Sequence, residues 1–276
     1  MQTRAALGGA ASGEDSEARM RRALSALCEK RIFFAHESVG ANLLHGVQHW
    51  FGRHADLRLQ LVESEDPATL APGTWVHARF GHNGDPGRKL TRLRELVERG
   101  IGANADLVLF KLCYVDVGAQ TGIEALHGRI TEALGELRRR YPRTELAMMT
   151  VPLTAMQRGP KAWARRLLRR LDANAEDNLH RQALNQRLRR SEATLFDLAW
   201  LESLDTEGQQ ATQMHRGLAV PVLADCNTDD GGHLNAAGQV RLARALVEFA
   251  AGLGESTAHR AHGFRARVER IPEAKL

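Results

Sequence analysis

Apolar positions along this 276-residue chain follow two alternating rhythms. Continuous apolar runs at 31–35, ADLVLFKLCYVDV at 105–117 and TELAMMTVPL at 144–153 predict strands covered on both faces. LRLQLVES at 57–64 alternates as a half-covered strand does, and TLFDLAWLE at 194–202 supplies a fifth. Between them the spacing turns helical: about 19–29, then 38–51 with Val39, Leu43, Leu44 and Val47 on one face, then 88–100, 121–140, an arginine-rich stretch at 160–190, and 235–253. In the arginine-rich stretch Trp163, Leu167, Leu168 and Leu171 share a face, which predicts a solvated helix packed on the sheet. Strands separated by helices predict an α/β fold with five parallel strands and helices on both faces. The proline- and glycine-rich segment 65–88 is too long for an idle connection, and together with 201–228 is expected to shape a pocket. The pattern divides the chain into a disordered tail at 1–18, one domain at 19–254 and a C-terminal extension at 255–276.

In parallel sheets the chemistry gathers at the carboxyl ends of the strands. The first strand runs into His36-Glu37-Ser38 and then a helix. Two readings of that triplet stand side by side. Glu37 or Ser38 caps the helix, or Ser38 is a nucleophile displayed where first-turn N–H groups steady an oxyanion. Cys113, Tyr114 and Asp116 end the third expected strand, and Asp230 and His233 lie in TDDGGHLN beyond the fifth. A nucleophilic hydroxyl needs a base in hydrogen-bond reach and an acid that orients the base, and Ser38, His233 and Asp230 supply all three. The bland alternative makes Asp230 a cap of the last helix and His233 a loop residue. His45 and His49 have i, i+4 helical spacing, but the HExxH pattern of a zinc site is missing and no metal is expected.

Composition narrows the classes. The net charge of +5 comes with 38 basic residues of which 33 are arginine, a bias that says little about nucleic acid, and none is expected as a partner. Three cysteines without a CxxC pair give neither a zinc ribbon nor a disulfide framework. No apolar run reaches the roughly 18 residues of a membrane span. The first 20 residues hold no hydrophobic signal core, which fits a cytoplasmic protein or one exported after processing.

Four blocks, HESVG, GHNGDP, LCYVDV and DDGGHLN, occur in the order found in the SGNH/GDSL hydrolases, over roughly residues 30–253. The chain resembles a bacterial branch of that family in which a His-x-Ser motif, here His36-Glu37-Ser38, stands in place of Gly-Asp-Ser. The resemblance implies a three-layer flavodoxin-like fold and a Ser-His-Asp esterase without cofactor or metal. Its catalytic residues would be Ser38, Asp230 and His233, and its substrate a small-molecule or carbohydrate ester such as an O-acetyl sugar. The same machinery would serve an acyltransferase, and an inactive relative would keep the cleft for carbohydrate. Family members build the oxyanion hole from the nucleophile's N–H, a glycine N–H and an asparagine side chain. Here Val115 stands at the asparagine position, so the hole is expected from Ser38, Gly81, Asn83 and Gly84. Asn83 within Asn-Gly-Asp also reads as a plain turn former. His36, Glu37, Tyr114 and Asp116 are expected to face the substrate pocket, with Asp116 alternatively tying down a neighbouring loop.

Overall fold

The computed structural model describes residues 13–157 and 173–252. Six parallel strands form the central sheet: β1 (Arg31–His36), β2 (Gln60–Glu63), β3 (Thr74–Arg79), β4 (Leu107–Phe110), β5 (Glu145–Met149) and β6 (Leu195–Phe196). Their order across the sheet is β2-β3-β1-β4-β5-β6. The helices are α1 (Gly13–Leu27), α2 (Ser38–Arg53), α3 (Pro86–Leu96), α4 (Ile123–Arg140), α5 (Ala173–Ser191), the short α6 (Leu198–Ser203) and α7 (Ala236–Ala251).

Strand residues alternate between two cores because successive side chains leave a strand on opposite faces. Ile32, Phe34, Trp75, Leu107, Leu109, Ala147 and Met149 pack under α1, α2 and α7. Phe33, Ala35, Val76, Ala78, Val108, Phe110, Leu146 and Met148 pack under α3, α4 and α5. The architecture is a three-layer, flavodoxin-like α/β arrangement. After β1 the chain goes first to β2 and β3 on one side and then crosses to β4 on the other. The crevice at a topological switch point therefore opens beyond the carboxyl ends of β1 and β4.

Several expectations need correction. The sheet has six strands, because β3 lies inside the segment read as a loop. It pairs with both β1 and β2, and its Trp75, Val76 and Ala78 are buried on opposite faces. The strand expected over 194–202 is only two residues long. Asp197 then accepts a hydrogen bond from the Trp200 N–H and starts α6. Within 201–228 the chain forms a hairpin of β7 (Thr212–His215) and β8 (Leu218–Pro221). Helix α1 begins inside the stretch assigned to the tail, where Arg244 of α7 donates to the Ser16 carbonyl, and farther along the helix Arg19 pairs with Glu248. Trp163, Leu167, Leu168 and Leu171 and the extension at 255–276 lie outside the described residues.

Helices α2 and α7 meet so closely that a Cβ at Gly46 would stand 2.1 Å from the Gln239 carbonyl oxygen. Only glycine fits there, and the close approach draws the loop ahead of α7 toward the start of α2. Cys28, Cys113 and Cys226 are free thiols. Among the described residues no helix is long and apolar enough to cross a membrane.

Candidate active site

Ser38 is the first residue of α2, immediately beyond β1. Glu37 occupies the capping position, yet no side chain caps this helix. The capping reading of the triplet is thus not what the structure contains. The first turn of α2 settles directly onto the end of β1, since a Cβ at Gly40 would lie 2.3 Å from the His36 Cβ. A glycine at this place lets the serine stand at the mouth of the crevice with the positive end of a 16-residue helix behind it.

The loop before α7 brings the candidate base. His233 Nε2 lies 3.1 Å from Ser38 Oγ, and His233 Nδ1 lies 2.7 Å from Asp230 Oδ2. A carboxylate can only accept, so Nδ1 carries the proton and the bare Nε2 lone pair faces the hydroxyl. The other Asp230 oxygen accepts from the backbone N–H of Gly232 at 2.8 Å and of His233 at 2.7 Å. These N–H groups, that of His233 first, hold the Asp230 carboxyl well below the usual carboxylate range. The cap of α7 is Asn235, which accepts from Gly238 N–H, so Asp230 does not cap that helix. Tyr114 presents its ring edge-on to His233 at 5.9 Å between centroids, and burial raises its hydroxyl pKa.

Two residues expected to face substrate turn inward. His36 is buried, its Nδ1 within 2.9 Å of the Glu37 carbonyl and its Nε2 3.1 Å from His77 Nδ1. Burial pushes its imidazole down to about 4. Glu37 is also buried, and its Oε1 accepts from the N–H groups of Phe80 and Gly81, each at 3.2 Å. The reason is geometric. The residue before a helix start at a strand end points along the sheet, and here it meets the backbone leaving β3.

That contact occupies the Gly81 amide, one of the expected oxyanion donors. The Gly84 N–H is occupied as well, donating to Asp116 Oδ1 at 2.7 Å. Asp116 is buried, and its other oxygen accepts from Cys113 N–H at 2.6 Å and from Lys89 Nζ at 2.7 Å. It therefore ties the 81–85 loop to the turn after β4 rather than facing substrate. Lys89 also donates to Asn83 Oδ1 at 3.1 Å. An ammonium cannot accept, so this bond fixes the flip of the exposed Asn83 amide and directs its NH₂ away from Lys89. Val115 is 47% exposed beside these groups in sequence.

Sequence reasoning missed the residues that brace the site. Lys89 and Asp116 form an ion pair with both side chains 0% exposed. Arg181 of α5 donates through Nε to the carbonyls of Tyr114 at 2.9 Å and Val117 at 3.0 Å, fixing the turn that carries Tyr114. Asn42, one helical turn after Ser38, accepts from the Leu234 N–H at 3.2 Å. A signal existed for the first of these. Lysine is so rare in this chain that Lys89 and Lys111, both fully buried, stand out as positions where arginine does not serve. His45 and His49 lie on the exposed side of α2, and among the described residues no cluster of three or more His, Cys, Asp or Glu side chains is placed to hold a metal ion.

No family model matches the chain, and no curated protein matches it in sequence. Structure comparison finds distant similarities to solved proteins. A Streptococcus pneumonia protein provisionally assigned to platelet activating factor is 18% identical over 86% of this chain and 92% of its own, with a TM-score of 0.49. A lipase/acylhydrolase from Enterococcus faecalis is 12% identical over 81% and 96%, with a TM-score of 0.48. The psychrotrophic esterase EstA from Pseudoalteromonas sp. is 13% identical over 81% and 98%, with a TM-score of 0.45.

Proposed function

We propose that this chain is a serine esterase of the SGNH/GDSL type, acting on carboxylic esters with a small acyl group, O-acetyl groups on carbohydrate among them. One observation carries the reading: three side chains from opposite ends of the sequence form the row Ser38 Oγ, His233, Asp230, with contacts of 3.1 and 2.7 Å. In the first step Ser38 Oγ attacks the ester carbonyl while His233 Nε2 takes the hydroxyl proton. The imidazolium is stabilised by the ionised Asp230 and returns that proton to the departing alcohol. Charge developing on the carbonyl oxygen falls at the N-terminus of α2, where the Ser38 N–H and the Asn83 amide NH₂ are the donors. In the second step His233 takes a proton from water, the hydroxide oxygen adds to the acyl carbonyl, and Ser38 leaves as its alcohol with the proton restored.

Hydrolysis is favoured over transfer to a sugar hydroxyl because the base stands open to water, with 39% of the His233 side chain exposed. The test is covalent labelling by a fluorophosphonate together with hydrolysis of p-nitrophenyl acetate. Ser38 is expected to carry the label, and Ser38→Ala is expected to lose both labelling and hydrolysis while remaining folded. A folded, fully active Ser38→Ala protein would overturn the reading. An acetylated sugar formed in place of free acetate would make the protein a transferase.

A further inference from the structure

The base loop has internal and external ties, and they differ in what they fix. Asp230 accepts the N–H groups of Gly232 and His233, but Asp230 belongs to the same loop, so these bonds set its shape and not its distance from the nucleophile. The next amide, that of Leu234, leaves the loop and donates to Asn42 Oδ1. The Leu234 carbonyl in turn accepts from Gln239 Nε2 at 2.8 Å, so both polar groups of Leu234 are held by helix side chains. Asn42 follows Ser38 by four positions and therefore lies on the same face of α2, about 6 Å farther along the axis. His233 spans that single turn, anchored beside Asn42 and reaching back to Ser38 Oγ.

We propose that Asn42 is a positioning residue for His233: it fastens the base loop to the helix that carries the nucleophile, so that Ser38 and His233 move as one body. This rests on the esterase reading above. Packing of α7 on α2 brings the loop near, but sliding of one helix on the other would change the reactive separation unless the loop were bound to α2 itself. A side-chain carbonyl at position 42 is what the Leu234 N–H requires. An apolar side chain there would leave that amide without its acceptor and the imidazole free to swing.

The test compares Asn42→Ala and Asn42→Asp in the whole chain, by ester kinetics across pH and by proton NMR of the far-downfield His233 Nδ1–H. Asn42→Ala is expected to lower kcat about 10-fold with KM nearly unchanged, the scale of a small misplacement of reacting groups, and to broaden the Nδ1–H signal. Asn42→Asp keeps an acceptor for Leu234, so the signal and the alkaline kcat are expected to survive. Its added negative charge favours the imidazolium and displaces the acid limb of the rate profile upward. Wild-type kcat and an intact signal in Asn42→Ala would overturn the proposal, as would equal loss of kcat in both variants with the signal unchanged. Failure of wild-type Ser38 to take a fluorophosphonate would instead count against the esterase reading, while the NMR comparison would still decide the role of Asn42.

Discussion

Glu37 precedes the helix that Ser38 begins but gives its carboxylate to the backbone just beyond β3, accepting the Gly81 N–H at 3.2 Å through the same oxygen that accepts from Phe80 N–H. One side chain thus joins the end of β1 to the end of β3 and occupies the Gly81 amide, one of the expected oxyanion donors. Glu37→Ala removes the acceptor from two backbone donors, one of them fully buried, and is expected to cost about 1–3 kcal/mol. Glu37→Gln retains a carbonyl oxygen at that place and is expected to cost less than about 1 kcal/mol. Urea unfolding of the two variants measures the difference, and equal losses would mean that the oxygen's bonds contribute nothing.

The Lys89–Asp116 pair stabilises a different part of the same edge. Both side chains are wholly buried, and Asp116 additionally accepts from Cys113 and Gly84 N–H groups. Lys89→Met leaves a buried carboxylate without its cation, for which a loss of about 3–5 kcal/mol is expected. It also frees the Asn83 carbonyl, so kcat should fall even under conditions where the variant is fully folded. Denaturant unfolding and ester kinetics on one preparation test both. A folded Lys89→Met protein with wild-type kcat would dissociate Asn83 from the reaction.

How much of this was legible in the sequence depends on what each residue needs. The meeting of Ser38, Asp230 and His233 was readable because a polar residue at the end of an apolar strand and an Asp-x-x-His before a helix are local patterns. Strand β3 was not, since Thr74, His77 and Arg79 break its apolar run and Pro72, Gly73 and Gly81 surround it. Its assignment requires the neighbours on either side, β1 and β2, that make it an interior strand. The direction of Glu37 and His36 was equally hidden: both point to partners on β3 or just beyond it, so missing that strand made two structural residues resemble substrate-facing ones. Strand β6 was read too long because Leu198, Ala199 and Leu201 continue the apolar run after Asp197 has already turned the chain into a helix.

The buried pair His36 and His77 sets an acid limit on stability. Burial lowers both imidazoles, His36 to about 4. A base depressed in the folded state takes up a proton on unfolding between its folded and unfolded values. The stability linked to His36 is therefore full above about 6.5 and is lost as pH falls through about 4. His36→Asn removes this titration. Its unfolding free energy is expected to decline less steeply than that of the wild type between pH 6.5 and 4, as read from urea melts at several pH values. Parallel slopes would place the acid sensitivity elsewhere.

The oxyanion hole is where the chain departs furthest from the pattern it resembles. With the Gly81 and Gly84 amides engaged by Glu37 and Asp116, the expected donors left for the proposed nucleophile are the Ser38 N–H and the Asn83 amide. Lys89 holds the Asn83 oxygen, so the NH₂ end is aimed before any substrate arrives. A donor fixed in advance and used only as charge develops lowers the barrier without tightening ground-state binding. Asn83→Ala is therefore expected to lower kcat about 10²-fold at nearly constant KM. Asn83→Asp should do at least as much damage, because a carboxylate cannot donate and places negative charge where the oxyanion forms. Adding Val115→Asn to Asn83→Ala asks whether the two positions reach one hole, and partial recovery of kcat is the expected result. Unchanged kcat in Asn83→Ala would leave the Ser38 N–H as the remaining named donor and return Asn83 to the role of a turn residue.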